Sequence, residues 1–175
     1  VFCLLCVSAV IFARWLVFES PTQLATTLHV GNGTVGVAEP ETSGEKAVRS
    51  TSPVARHNTF TTDSQSQGYL TFSDPYSNKA IATVFIRSDS VLTLNSASRP
   101  RFSFSDNAYA IRLTGVNGSF EVWVAVDLDR EIRLDIEGLL GTTRIGEGGT
   151  FLIESSPSSM MVTVRGGRAT LITPD

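Results

Sequence analysis

Apolar and polar residues alternate along most of this chain. In Phe120-Glu121-Val122-Trp123-Val124-Ala125-Val126 the even positions are all branched or aromatic, and in Ile132-Arg133-Leu134-Asp135-Ile136-Glu137 apolar and charged residues alternate strictly. A period of two sets one face against a core and the other in water, so both segments read as strands. Similar short runs lie at Tyr69 to Phe72, Ala80 to Ile86, Ser90 to Leu94, Arg101 to Phe104, Tyr109 to Leu113, Thr150 to Glu154, Met160 to Arg165 and Arg168 to Ile172. Between them stand residues that reverse a chain: Ser73-Asp74-Pro75, Asp106-Asn107, Asn117-Gly118 and Gly166-Gly167. From Pro21 onward no stretch of ten or more residues places apolar positions at helical spacing. Short strands at such regular spacing predict an all-β body, either a sandwich of the jelly-roll type or short strands stacked into two twisted sheets in a solenoid-like way. No short repeat recurs to supply a solenoid consensus.

One segment departs from this pattern. Of the first 18 residues, Val1 to Phe18, 16 are apolar. At a helical rise of about 1.5 Å per residue they reach roughly 27 Å, close to the hydrocarbon thickness of a bilayer. The expectation is a transmembrane helix over 1–18, truncated at its start, since the sequence opens on Val1. Arg14 sits near one end of the run, where its long side chain snorkels to the headgroups, and Trp15 beside it suits the membrane interface. A signal peptide is the competing reading, but the residues after Ala13 are Arg14, Trp15, Leu16, Val17 and Phe18, too bulky for a cleavage site. Cys3 and Cys6 form a C-x-x-C inside the apolar run, where thiolates are disfavoured, so neither redox nor zinc chemistry is expected of them.

Residues 19–32 read as a tether and 33–175 as the β-domain, whose first short strand is Gly33 to Ala38. Gly36 to Arg56 carries Pro40, Pro53 and six charged residues without one aromatic, which predicts an exposed loop at about 37–56. No Lys or Arg follows Phe18 until Lys46, and this favours translocation of the β-domain, placing it outside the cytoplasmic membrane.

Composition narrows the chemistry. Ser and Thr number 39 against two Lys, a bias that suits strands and turns. Without Val1 to Phe18 the chain holds 13 basic and 17 acidic residues, dispersed, so no basic face for nucleic acid is expected. With two histidines, and both cysteines in the apolar run, no metal or other cofactor is expected. His57 reads as a solvated loop residue and His29 has no acidic or Cys neighbour. Asp127 and Asp129, two apart before Arg130, are a conceivable calcium pair, though a polar turn between strands explains them as well. Gly146-Glu147-Gly148-Gly149 lacks the helix and Lys-Ser/Thr of a phosphate loop. Asn32-Gly33-Thr34 and Asn117-Gly118-Ser119 match the glycosylation acceptor pattern, but tight-turn chemistry accounts for both. Phe102 and Phe104 are expected in the core. Trp123, out of phase with the apolar partners of Phe120, is the one weak candidate for a binding residue. No catalytic constellation emerges, so the chain is not expected to be an enzyme.

The order of segments carries a resemblance. The stretch His57 to Pro75, with its step Asn58-Thr59-Phe60-Thr61-Thr62 and the strand Tyr69-Leu70-Thr71-Phe72 ending at Asp74, resembles the threshold-and-strand signature of FecR-like domains, without that signature's Gly-Asp and with Pro75 in place of Gly. Gly149-Thr150-Phe151-Leu152-Ile153 and Val162-Thr163-Val164-Arg165-Gly166-Gly167-Arg168-Ala169-Thr170-Leu171 are similar to the family's closing pattern. The resemblance spans about Gly33 to Ile172. It implies a solenoid-like stack of two twisted sheets outside the cytoplasmic membrane, after one transmembrane helix. It also implies a sensor that binds another protein, such as an outer-membrane receptor, and relays its state to a cytoplasmic transcription regulator of the anti-sigma or helix-turn-helix type. A membrane-tethered adhesion or carbohydrate-binding module is the alternative.

Overall fold

The structure, a computed structural model, describes residues 7–8, 21–40, 44–102 and 104–173. The expected transmembrane helix over 1–18, with Arg14 and Trp15, lies outside the described residues except for Val7 and Ser8. Among the described residues no helix is long and apolar enough to cross a membrane.

The body is all-β, as the alternation predicts, and its sheet is nearly closed and barrel-like. In chain order the strands are β1 (Pro21–Gln23), β2 (Ala25–Asn32), β3 (Val35–Ala38), β4 (Glu45–Val48), β5 (Ser52–Pro53), β6 (Thr59–Thr62), β7 (Gln67–Ser73), β8 (Ala80–Ile86), β9 (Val91–Pro100), β10 (Tyr109–Val124), β11 (Ile132–Gly138), β12 (Gly141–Ile145), β13 (Gly149–Ser155), β14 (Met160–Val164) and β15 (Ala169–Ile172). β10 joins two sheets. Its first half pairs with β9 and β11, and its second half with β8 and β13. One sheet continues from β9 through β6 and β3 to β4, and from β11 through β12 to β15. The other continues from β8 through β7 and β2 to β5, and from β13 to β14. The β10–β11 pair is parallel; the other ladders named here are antiparallel.

Between the two faces lies the core, filled by Phe60, Phe72, Phe120 and Phe151 with Leu28, Leu70, Ile86, Leu92 and Ile111, all essentially without solvent contact. Burial of large apolar side chains at alternate positions is what holds two antiparallel layers together, at roughly 25 cal/mol per Å² removed from water.

Two bulges decide which side chains join that core. In β9 the ladder with β10 skips Asn95, so inward positions change from Leu92 and Leu94 to Ala97 and Arg99. In β10 the ladder shifts between Leu113 and Val116, and inward positions pass from Tyr109, Ile111 and Leu113 to Val116, Phe120 and Val122. Gly115 has φ 61° and Gly118 has φ 118°, values that residues with a Cβ rarely adopt. The strand bends there and crosses from one sheet to the other.

Several expectations need correction. Residues 21–32 are not a tether: β1 pairs β9, β2 pairs β7, and Leu24 and Leu28 are buried. Gly33 to Ala38 accordingly holds the third strand rather than the first. The loop at about 37–56 contains β4 and β5, which are exposed yet hydrogen-bonded into the sheet edges. Asn117-Gly118 is not a reversal but the bend inside β10, whereas Asn32-Gly33 does turn the chain, with Gly33 at φ 70°. The described residues of the expected strand Arg101 to Phe104 lie in bends and a turn. Phe102 is half-buried and Phe104 is 59% exposed, the two rings stacking on each other at 5.3 Å outside the core.

Candidate functional site

The bend in β10 returns its two ends to the same region. Tyr109 opens the strand, the turn 125–131 follows its end, and the Tyr109 hydroxyl donates to Asp129 Oδ1 at 2.7 Å. Around this junction the fold gathers charges from three further segments, the β7–β8 turn, the end of β9 and the turn 125–131. Arg99 arrives from the end of β9 because the Asn95 bulge turns it inward. Asp74 comes from the turn after β7, where its Oδ1 accepts the amide of Tyr76 at 2.8 Å and its main chain closes on Lys79 and Asn78.

Arg99 and Asp74 form an ion pair with both side chains 7% exposed. Arg99 Nε also donates to the carbonyl of Pro100 at 3.0 Å, and its guanidinium lies over the rings of Tyr76 (5.0 Å) and Tyr109 (6.0 Å). Arg130 covers the Tyr109 ring at 5.5 Å, pairs with Asp129 at 3.2 Å and donates to the carbonyl of Ser105 at 3.2 Å. At the rim, Lys79 Nζ bonds the Asp127 carbonyl at 2.6 Å and its carboxylate at 2.9 Å. Asp74, Arg99, Tyr109, Asp129, Lys79 and Asp127, with apolar Ile81 and Leu128, line a cleft of about 440 Å³.

The electrostatics follow from the partners. Burial opposes a charge on Asp74, but the Tyr76 amide and the Arg99 guanidinium outweigh it and hold the carboxyl below its ordinary range. Burial likewise opposes Asp129, and Tyr109 and Arg130 outweigh it in the same direction. For Tyr109, burial acts first, then the hydrogen bond to Asp129 and the negative charges of Asp129 and Asp74; the phenol is pushed up to about 12. Both carboxylates are thus ionised and the phenol is protonated at neutral pH. The cluster clamps four segments, and each charge already has its partner. It offers no proton poised for transfer near pH 7.

A second cleft, of about 420 Å³, lies at the bend itself and is mostly apolar. It is lined by Gly115, Val116 and Asn117 of β10, Glu137, Gly138 and Leu139 at the β11–β12 turn, and Ser156 and Pro157 at the β13–β14 turn. Next to it Leu139 is 73% exposed, and Ile172 stands by Gly141 on the paired β15.

The residues singled out from sequence lie apart. Trp123 points outward from β10 between Thr83 and Thr150, 44% exposed, and lines neither cleft. His29 stacks on Tyr69 at 4.7 Å and its Nδ1 is 3.1 Å from the Thr51 hydroxyl. His57 occupies an exposed turn at φ 66°. Asp127 and Asp129 turn to different cations, Lys79 and Arg130, so the pair is a polar turn; among the described residues no group of three or more His, Cys, Asp or Glu is placed to hold a metal. Asp74, Arg99, Tyr109 and Arg130 were not singled out. The one sequence signal for them is Tyr109 at the start of the run Tyr109 to Leu113; Arg99 lies past the run Ser90 to Leu94, and the bulge that turns it inward is not visible as a pattern. Compared with known proteins, the chain matches no family model, no curated protein and no solved structure.

Proposed function

We propose that this chain is the extracytoplasmic, protein-binding part of a single-pass membrane protein of the FecR-like kind, held at the cytoplasmic membrane by Val1 to Phe18. It relays the state of a bound protein to a cytoplasmic transcription regulator, by contact and without chemistry. In this reading the body is the family's solenoid-like pair of sheets, with β6–β7 and β13–β15 as the segments that resemble its signature. The observation that carries a binding role is apolar surface left in water at one end of the body. Leu139 and Leu140 of the β11–β12 turn stand 73% and 38% exposed, and Leu171 and Ile172 of the neighbouring β15 are 44% and 41% exposed. Four large aliphatic side chains in adjoining elements cost free energy in water and gain it under a partner.

The test is photocrosslinking in cells. A crosslinkable residue at Leu139 or Ile172 of the full-length protein captures a defined envelope protein, while one at Lys46 captures none. No adduct from either apolar position refutes the reading.

Trp123 supports the second reading, a carbohydrate-binding module, since an indole half-exposed between two threonines offers a face for a sugar ring. Saturable binding on a glycan array, lost in Trp123→Ala, distinguishes it.

A further inference from the structure

Among the described residues five strands pair on one side only, β1, β4, β5, β14 and β15, and the chain treats them differently; β1 is three residues long and opens on Pro21. β4 (Glu45-Lys46-Ala47-Val48) carries two charges, and β5 is two residues long and includes Pro53; charge, brevity and proline are the devices that keep an edge strand from pairing with another chain. β15 runs Ala169-Thr170-Leu171-Ile172, four residues without charge. β14 is the longest of the five, Met160-Met161-Val162-Thr163-Val164, with no charge, no proline and no glycine. Among the described residues it pairs only with β13, so its other edge presents free backbone donors and acceptors. Its side chains are also unfinished. Met161 and Thr163 stand on the outer face, Met161 55% exposed, while Val164, which faces inward opposite Phe151, is still 44% exposed.

We infer that β14 is the edge on which a second copy of this chain docks, antiparallel across a two-fold axis at Val162. The argument for a second copy is charge and symmetry. An antiparallel pair centred on Val162 sets Met161 against Thr163 of the other copy, Met160 against Val164, and Ser159 against Arg165. No charge meets its like, although Arg165 is the nearest basic residue and is 63% exposed. The acidic Glu154, opposite Met161 on β13, lies on the same outer face as the incoming Arg165. A strand of five residues that meets itself without repulsion fits an isologous contact. The pairing makes one sheet continuous through both copies and covers Met161 and Val164. Its small area predicts a weak, reversible dimer.

The register makes this testable without any knowledge of the protein's other partner. Sedimentation equilibrium of the full chain in density-matched detergent gives a concentration-dependent monomer–dimer equilibrium. M161K/T163K sets Lys against Lys at two symmetric positions and weakens the dimer about tenfold or more. M161K/T163E sets Lys against Glu at the same two positions and restores it to within about threefold of the parent. Circular dichroism confirms that both variants keep the parent strand content, and if either loses it the pair is replaced by M161R/T163R and M161R/T163E, which keep the same like and opposite facings. A monomer at all concentrations overturns the inference, as does a dimer on which the two charge patterns act alike. Either result leaves the reading of Leu139 and Ile172 as a partner surface standing, since that surface is tested by capture of a different protein.

Discussion

Asp74 and Arg99 show how much one residue carries here. Removing one member of a buried ion pair leaves the other charged and unsolvated, which typically costs 3–5 kcal/mol. Asp74→Ala is therefore expected to destabilise the body by about 3 kcal/mol in urea unfolding. Asp74 and Asp129 both have depressed folded pKa values, so their contribution to stability is full above the unfolded carboxylate pKa of about 4 and is lost as pH falls through the lower folded values. Tyr109 has the opposite sign. Its folded value of about 12 exceeds an unfolded value of about 10, so its contribution is full below pH 10 and disappears as pH rises towards 12. Tyr109→Phe is expected to flatten that alkaline limb of a stability-against-pH curve while costing about 1 kcal/mol at neutral pH for the lost hydroxyl bond. Thr143 predicts a gain. It has no solvent contact, and among the described residues its hydroxyl finds no partner, so Thr143→Val removes a buried polar group at constant shape and is expected to stabilise by about 1 kcal/mol.

At the scale of elements, period-two alternation made most strands legible: β7, β8, β11, β13, β14 and β15 stand where the runs were, and β9 extends beyond its own. What alternation does not encode is a slip in phase. The Asn95 bulge moves Arg99 inward, and the bend at Gly115 to Gly118 fuses two runs into the single strand β10 where Asn-Gly reads as a hairpin. The clamp was hidden for the same reason, because Asp74, Arg99, Tyr109 and Asp129 come from strand ends and turns, where charged residues ordinarily mean solvent. β2 is not legible as a strand although Thr26 and Leu28 alternate inward after Leu24, since a polar stretch beside an apolar run reads as a tether. The bend makes a graded prediction. A Cβ on Gly118 would lie 2.7 Å from the Ser90 main chain, whereas one on Gly115 meets only the Thr93 hydroxyl at 3.8 Å. Gly115→Ala is expected to cost about 1 kcal/mol for its positive φ alone, and Gly118→Ala at least about twice that; thermal unfolding ranks the two.

For the whole molecule, a charged clamp ties the two ends of β10 together, and beside the bend Leu139, Leu140, Leu171 and Ile172 leave apolar surface in water. Such an asymmetry suits a body fixed in shape at one place and read by contact at another. The account's central claim is that this β-body stands outside the cytoplasmic membrane and meets its partner there. The most direct measurement labels Ser64→Cys, on an exposed turn, in the full-length protein with a membrane-impermeant maleimide, in intact cells whose outer envelope has been opened. The account predicts labelling as complete as in lysed cells. Labelling only after lysis contradicts it.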